Sequence, residues 1–149
     1  MKTTFKLTLL ALITPVILVA QSNKEEVDLI QSIFGMDKKA IMADFISLDD
    51  TSKDAFWALY DEYEVARKEL GRNRLSILND YAENYGNLSS DQIDALAKRS
   101  TKQVSSDESL RYKYYNKLKK VAGHEAAAQF YQIEGYFNAA IRMSILESI

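Results

Sequence analysis

Residues 54–70, DAFWALYDEYEVARKEL, contain the clearest helical pattern in the sequence. Their apolar residues recur at steps of three and four, a spacing that places them on one face of an α-helix. The opposite face is charged, so we expect it to be solvated while the apolar face packs in a core. The residues on the apolar face are Phe56, Leu59, Tyr63, Ala66 and Leu70.

The helix that contains this stretch is predicted to extend well beyond it. The apolar pattern continues past Gly71 with a small shift in phase, and an isolated glycine costs only about 1 kcal/mol inside a helix. Upstream, residues 47–54, SLDDTSKD, supply several N-cap side chains and place acids near the positive end of the helix. We therefore predict one helix of about thirty residues, which ends before Gly86 as its C′ residue.

Three further helical segments flank this helix. The first lies within residues 27–46, where an apolar stripe is interrupted by Gly35. The third along the chain ends at Gly123, and its middle, residues 98–109, is so polar that it is either a solvated stretch of helix or a break. The fourth follows Gly123, with apolar residues again at steps of three and four.

These segments predict an all-α fold, an elongated antiparallel bundle of about four helices, two of them long and paired as a helical hairpin. A helix of about thirty residues is about 45 Å long, which exceeds the diameter of a compact domain of this size. The elongated shape leaves apolar surface that a partner chain could cover. It therefore favours a homodimer.

Residues 88–93, LSSDQI, have the pattern of a helix start. Ser89 is predicted to be the N-cap, and Gln92 can return a hydrogen bond to the backbone N–H of Ser89, which forms a capping box. Leu88 and Ile93 flank this box and are placed to form a hydrophobic staple. The sequence therefore predicts a helix-capping motif at Leu88, Ser89, Gln92 and Ile93.

The first 20 residues have the pattern of a secretory signal peptide. Lys2 and Lys6 precede an apolar run at residues 7–19, and Ala20 stands before the expected cleavage point. The run is shorter than the roughly 18–20 residues that span a bilayer. We therefore predict cleavage, which leaves residues 21–149 as a single helical domain with no membrane span, periplasmic or secreted. An uncleaved anchor is the alternative.

Composition argues against several functions. Removing residues 1–20 leaves 17 basic and 21 acidic residues, so there is no overall basic excess to bind nucleic acid. The chain has no cysteine and a single histidine, His124, so neither a Cys-His pair nor a site of several histidines can form within one chain. We interpret His124 as a solvated turn residue, with a metal ligand as the alternative. No enzyme activity, cofactor or metal is expected.

Aromatic residues are numerous, with nine tyrosines, six phenylalanines and one tryptophan. Core packing explains many of them, but neighbours such as Tyr114 and Tyr115 point apart on a helix, so some must be exposed. Exposed rings can hold apolar segments of other proteins while their polar groups stay hydrated. The candidate client- or partner-binding residues are Phe56, Trp57, Tyr60, Tyr63, Tyr112, Tyr115, Tyr131 and Tyr136.

The sequence resembles the Spy/CpxP-like family of periplasmic helical proteins, which carry Leu-Thr-x-x-Gln repeats. Residues 88–92, LSSDQ, resemble the repeat with serine in place of threonine, whereas residues 48–52, LDDTS, keep the leucine alone. Two longer patterns of the family are also present, FWxxYxxY at residues 56–63 and FxQIE at residues 130–134. The resemblance implies a small dimeric protein that acts without ATP as a chaperone or an envelope-stress regulator.

The leading functional hypothesis is therefore an exported helical protein that binds unfolded or apolar segments of client or partner proteins. One alternative is a regulator that binds a membrane sensor domain or responds to a metal. A second alternative is a structural component of the envelope without chaperone activity. Suppression of client aggregation without ATP would distinguish the first hypothesis from the other two.

Overall fold

The computed structural model describes residues 38–147, with side chains up to residue 143. This part of the chain forms three helices, α1 at residues 38–45, α2 at Lys53–Glu83 and α3 at Ser90–Glu147, and contains no strand. The predicted all-α class is therefore confirmed. The predicted signal peptide and most of the first apolar stripe lie outside the described residues.

Helix α2 is one continuous helix of 31 residues that passes through Gly71, as predicted. Before its first turn, Asp49 Oδ1 accepts hydrogen bonds from the Ser52 N–H at 2.7 Å and from the Thr51 hydroxyl at 2.8 Å. The hydrogen bond from Thr51 and those from Ser52 hold the pKa of Asp49 below its usual range. Asp49 therefore satisfies a backbone donor at the start of the helix, where carboxylates are favoured.

The end of α2 differs from the prediction by a short distance. Gly86 does adopt the left-handed conformation, with φ of 83°. The helix nevertheless ends at Glu83, and its C-cap is Asn84, so Gly86 is not the C′ residue. The Asn84 side chain donates a hydrogen bond to the Asp80 carbonyl at 2.8 Å, and this bond satisfies one carbonyl of the last turn.

Helix α3 remains helical through the polar residues 98–109, so the alternative of a break there is wrong. Some of the polar side chains of this stretch bind α2. Gln103 is buried, and its Nε2 donates to the Leu70 carbonyl at 2.8 Å and to Asp107 Oδ1 at 3.1 Å. Asn73 Nδ2 donates to Gln103 Oε1 at 2.5 Å. The polarity of the stretch therefore reflects in part contacts with the neighbouring helix, while Lys98 and Lys102 are exposed to solvent.

Gly123 divides α3 into two arms, which we call arm 1 (residues 90–122) and arm 2 (residues 124–147). Its φ of 83° and ψ of 173° are not helical, and a positive φ favours glycine. Arm 2 folds back along arm 1, and the Tyr131 hydroxyl donates a hydrogen bond to Glu108 from one arm to the other. The predicted end of a helix at Gly123 thus appears as a bend within α3, and the described residues form three helices where the sequence predicted about four.

An aromatic core joins α1, α2 and both arms. The Tyr63 and Phe130 rings meet edge to face, with centroids 5.1 Å apart and an interplanar angle of 85°. Met42 and Ile46 bring α1 and the segment after it into the same core. The buried cluster consists of Met42, Ile46, Phe56, Tyr60, Tyr63, Tyr114, Leu118, Ala126, Ala127, Phe130 and Phe137.

The predicted capping box is confirmed at the start of α3. The Ser89 N–H donates to Gln92 Oε1 at 2.8 Å, and the Gln92 N–H donates to Ser89 Oγ at 3.3 Å. Ile93 stays half exposed and Leu88 partly exposed, so the predicted hydrophobic staple buries little surface. The capping motif therefore works mainly by satisfying backbone N–H groups at the start of α3.

Replacing Ser89 with alanine should lower the free energy of unfolding by about 1 kcal/mol, because a backbone N–H of the first turn loses its acceptor. Chemical denaturation measures the change, with Ser90→Ala as the matched control one residue further into the helix. Partner binding should be unchanged. An unaltered stability combined with lost binding would show that Ser89 acts on a partner and not as a cap.

Candidate functional site

Three of the eight predicted binding aromatics lie in the core. Phe56, Tyr60 and Tyr63 are buried, since their spacing of four and three residues keeps them on the face of α2 that meets the other helices. Trp57 is half-buried at the edge of this group, with its ring 5.1 Å from that of Phe56. A client cannot reach the three buried rings in this structure, so we remove them from the candidate surface.

Three other predicted residues form a continuous row of rings across the two arms of α3, which we call the tyrosine ladder (Tyr112, Tyr115 and Tyr131). Tyr112 stacks on Tyr115 with centroids 5.9 Å apart and an interplanar angle of 17°. Tyr115 meets Tyr131 edge to face at 5.8 Å. Tyr112 is 56% exposed, whereas the other two rings are partly buried against the core. The ladder therefore connects solvent to the aromatic core.

Polar partners hold Tyr131 in place at the inner end of the ladder. Its hydroxyl donates to Glu108, and this hydrogen bond lowers the pKa of Glu108 and raises that of Tyr131. The Arg111 guanidinium lies 4.3 Å from the centroid of the Tyr131 ring, within the range of a cation–π interaction. Arg111 also binds Glu108 at 2.5 Å. These contacts fix the orientation of the Tyr131 ring.

Tyr136, the last of the predicted aromatics, lies apart from the ladder. Its ring is 72% exposed and contacts Phe137, with centroids 5.9 Å apart. A second exposed pair, Tyr81 and Tyr85, lies at the end of α2 with ring centroids 5.6 Å apart. Sequence reasoning did not select this pair, although its spacing of four residues just before Gly86 was a usable signal.

A buried ion network lies beside the core rings of Tyr60 and Tyr63 and joins three helices. Lys38 Nζ, from α1, lies 2.5 Å from Glu64 Oε1 of α2 and 2.7 Å from Glu134 Oε1 of arm 2. Tyr63 donates its hydroxyl to Glu134 Oε2 at 2.8 Å, and Arg67 Nε lies 2.9 Å from Glu64 Oε1. Two cations and two carboxylates therefore balance in a site that water hardly reaches.

The pKa values of the two carboxylates in the network are shifted in opposite directions. Burial raises the pKa of Glu134, against the opposing charge of Lys38. Burial acts in the same sense on Glu64, but Lys38 and Arg67 outweigh it and hold the pKa of Glu64 below its usual range. Lys38 is therefore the shared counter-charge on which both carboxylates depend.

Sequence reasoning did not identify this network. Glu134 was noted as a letter in the FxQIE pattern, and the spacing of Glu64 and Arg67 was visible as an ordinary pair on one helix. Lys38 and Glu134 are 96 positions apart, so no local pattern joins them. The network contributes polar contacts between helices, and its charged side chains are at most 12% exposed.

Two further findings concern the described residues alone. Within residues 38–147, no group of three or more histidine, cysteine, aspartate or glutamate side chains is placed to hold a metal ion, and His124 is exposed beside the bend. A search of the same residues for a helix both long and apolar enough to cross a membrane finds none.

Comparison with family models, with curated proteins and with solved structures finds no match to this chain. The described residues define the class by their geometry: an all-helical domain with a partly exposed row of tyrosines on the two arms of one helix. The resemblance to the Spy/CpxP-like family stays a prediction that rests on the sequence patterns.

Proposed function

We propose that this protein is an exported helical binding protein of the Spy/CpxP type, which holds apolar segments of client or partner proteins without ATP. The observation that carries the proposal is the tyrosine ladder. Singly exposed apolar side chains are ordinary on protein surfaces, whereas contiguous ones mark interaction sites. Tyr112 is 56% exposed although two further rings continue from it towards the core.

The chemistry of tyrosine suits reversible binding. A tyrosine ring offers a large apolar face at a small cost in conformational entropy, and an exposed tyrosine hydroxyl hydrogen-bonds to water when the site is empty. The partners of Tyr131, Glu108 and Arg111, already hold one ring in position. A client segment therefore meets rings that need little further ordering, which reduces the cost of binding.

The proposal includes export and assembly. Export rests on the signal pattern in residues 1–20, and the periplasm is the compartment that the family resemblance implies. On this proposal α1, α2 and the two arms act as an elongated antiparallel bundle of four helical segments. A second copy could cover the exposed side chains at the far end of the hairpin, where Tyr81, Tyr85 and Ile93 lie in solvent.

The double variant Tyr112→Ser/Tyr115→Ser tests the ladder. We expect it to weaken client binding about thirtyfold, since truncating an aromatic hot spot costs about 2 kcal/mol. Binding of a denatured client is measured by titration, and suppression of its aggregation is measured at near-stoichiometric ratios without ATP. Tyr81→Ser/Tyr85→Ser is the matched control, because it removes another exposed tyrosine pair, at the end of α2.

Three outcomes would contradict the proposal. If the unaltered protein suppresses the aggregation of none of several unrelated clients, it is not a chaperone. If the two double variants lose binding equally, the ladder is not the binding surface. If a pull-down recovers one stable partner while denatured clients stay unbound, the protein is a regulator or a structural component of the envelope.

A further inference from the structure

We propose that the tyrosine ladder is selective for acidic protein segments, because lysines that form no ion pair lie on the same arm, one of them against a ladder ring. This inference rests on the proposed function, since it names the class of segment that the same surface holds. We call these lysines the lysine ridge (Lys113, Lys119 and Lys120 of arm 1). An acidic segment would place carboxylates on the ridge and apolar or aromatic side chains on the ladder.

The charge of the chain is distributed unevenly. The whole sequence has a net charge of −2, but residues 109–124 contain five basic side chains and no acidic one. This stretch leads up to the bend at Gly123 and includes two rings of the ladder. Its basic residues are Arg111, Lys113, Lys117, Lys119 and Lys120.

Two of these five charges are already neutralised by acids outside the stretch. Arg111 Nη2 lies 2.5 Å from Glu108, and Lys117 Nζ lies 2.9 Å from Glu62. The hydrogen bond from Lys117 is the main reason why the pKa of Glu62 lies below its usual range, and Lys113 adds a smaller attraction. Both nearby carboxylates are therefore engaged.

The lysines of the ridge form no ion pair with any residue in the described part of the chain. Lys119 Nζ donates to Asn116 Oδ1 at 3.3 Å and lies 5.3 Å from the centroid of the Tyr115 ring. Lys113 Nζ lies 5.8 Å from the centroid of the Tyr114 ring. Lys113 and Lys120 are exposed, as is Tyr112, the outer ring of the ladder. Lys119 therefore brings positive charge against a ring of the ladder, and Lys113 and Lys120 add exposed positive charge on the same arm.

An anionic lipid surface would offer similar charge, but the ridge fits it less well. Helices that bind the membrane interface insert large apolar side chains, and near the ridge Val121 is only 38% exposed. Recognition of anionic lipids typically takes clusters of about four to eight basic residues, more than the three uncompensated lysines here. A protein segment can use the charge and the rings together, so charge complementarity favours it as the occupant.

Two peptides of equal length test the selectivity. Both carry the same tyrosine and leucine residues, one with aspartate and glutamate at the remaining positions and the other with lysine. We expect the unaltered protein to bind the acidic peptide at least about tenfold more tightly at low salt, and the difference to shrink at high salt because exposed charges are screened. Fluorescence anisotropy measures both affinities.

Charge reversal locates the effect on the ridge. Lys113→Glu/Lys120→Glu should abolish the preference for the acidic peptide, whereas Lys98→Glu/Lys102→Glu should keep it. The two variants change the net charge equally, and both control lysines are exposed on the same arm. Circular dichroism checks that each variant is folded. Equal loss of the preference in both variants would mean that overall charge, and not the ridge, selects the ligand.

The outcomes separate this inference from the proposed function. If the protein binds both peptides equally and still suppresses client aggregation, the selectivity is overturned and the binding function stands. If it binds neither peptide and no denatured client, the proposed function fails and the selectivity with it. If vesicles of phosphatidylglycerol displace the acidic peptide while uncharged vesicles do not, the ridge is a lipid-binding surface and the inference is wrong.

Discussion

Lys38→Met should lower the free energy of unfolding by about 3–5 kcal/mol at neutral pH, because the variant leaves a buried carboxylate without its cation. Lys38 is fully buried between Glu64 and Glu134, at 2.5 and 2.7 Å. Arg67 binds Glu64 and can compensate only that one carboxylate. Denaturation in urea measures the loss.

The neighbouring Lys39 supplies the matched control. Its Nζ lies 2.5 Å from Asp61 Oδ1, but both side chains are exposed. Exposed ion pairs contribute at most about 1 kcal/mol, so Lys39→Met should cost little. Losses of similar size in the two variants would contradict a special role for the buried network.

The loss in Lys38→Met should also depend on pH. Burial raises the pKa of Glu134, and Lys38 is the main charge that opposes this rise, so removing Lys38 raises the pKa further. A carboxyl whose pKa is higher in the folded state binds more protons there, so folding becomes more favourable as the pH falls through that range. The loss of unfolding free energy in Lys38→Met should therefore shrink as the pH approaches the ordinary glutamate pKa of 4.5. A deficit independent of pH would show that charge burial is not its cause.

Phe130→Ala should lower the free energy of unfolding by about 3–5 kcal/mol, the usual cost of removing a buried ring and leaving a cavity. Phe130 is 0% exposed and meets Tyr63 and Tyr60 edge to face, with centroids 5.1 and 6.4 Å away. The rigid rings around it cannot collapse easily into the space. Chemical denaturation measures the loss, together with client binding under conditions where the variant stays folded.

Phe45→Ala makes the same chemical change on the surface and serves as the control. Phe45 is 66% exposed, so its removal should change the stability by less than about 0.5 kcal/mol. Folded Phe130→Ala should still bind clients, because the tyrosine ladder is intact. Loss of binding in the folded variant would return the core aromatics to the candidate site.

Local sequence patterns were sufficient for the helices and their starts. The predicted helix of about thirty residues corresponds to Lys53–Glu83, and the capping box at Ser89 and Gln92 forms as expected. These features depend on residues within a few positions of one another, where helical geometry alone sets the contacts. The end of α2 was harder to place because Asn84 caps it ahead of Gly86.

The candidate site could be predicted only in part. Eight aromatic residues were selected by type and spacing, and the structure joins three of them, Tyr112, Tyr115 and Tyr131, in one ladder. The local basic excess was visible in residues 109–124, but its significance depends on Glu62, which neutralises Lys117 from another helix. Whether a charge is free on the surface is a property of the folded neighbours.

The sequence by itself determined the helical class, the position of the bend at Gly123 and the capping of α3, because all three follow from interactions along one segment. Tertiary structure alone decided that Tyr60 is buried while Tyr112 is exposed, and that Lys38 meets Glu134 across 96 positions. Periodicity tells which residues share a face of a helix. It does not tell against which other helix that face packs. The burial of a side chain and the ion pairs it forms both depend on that packing.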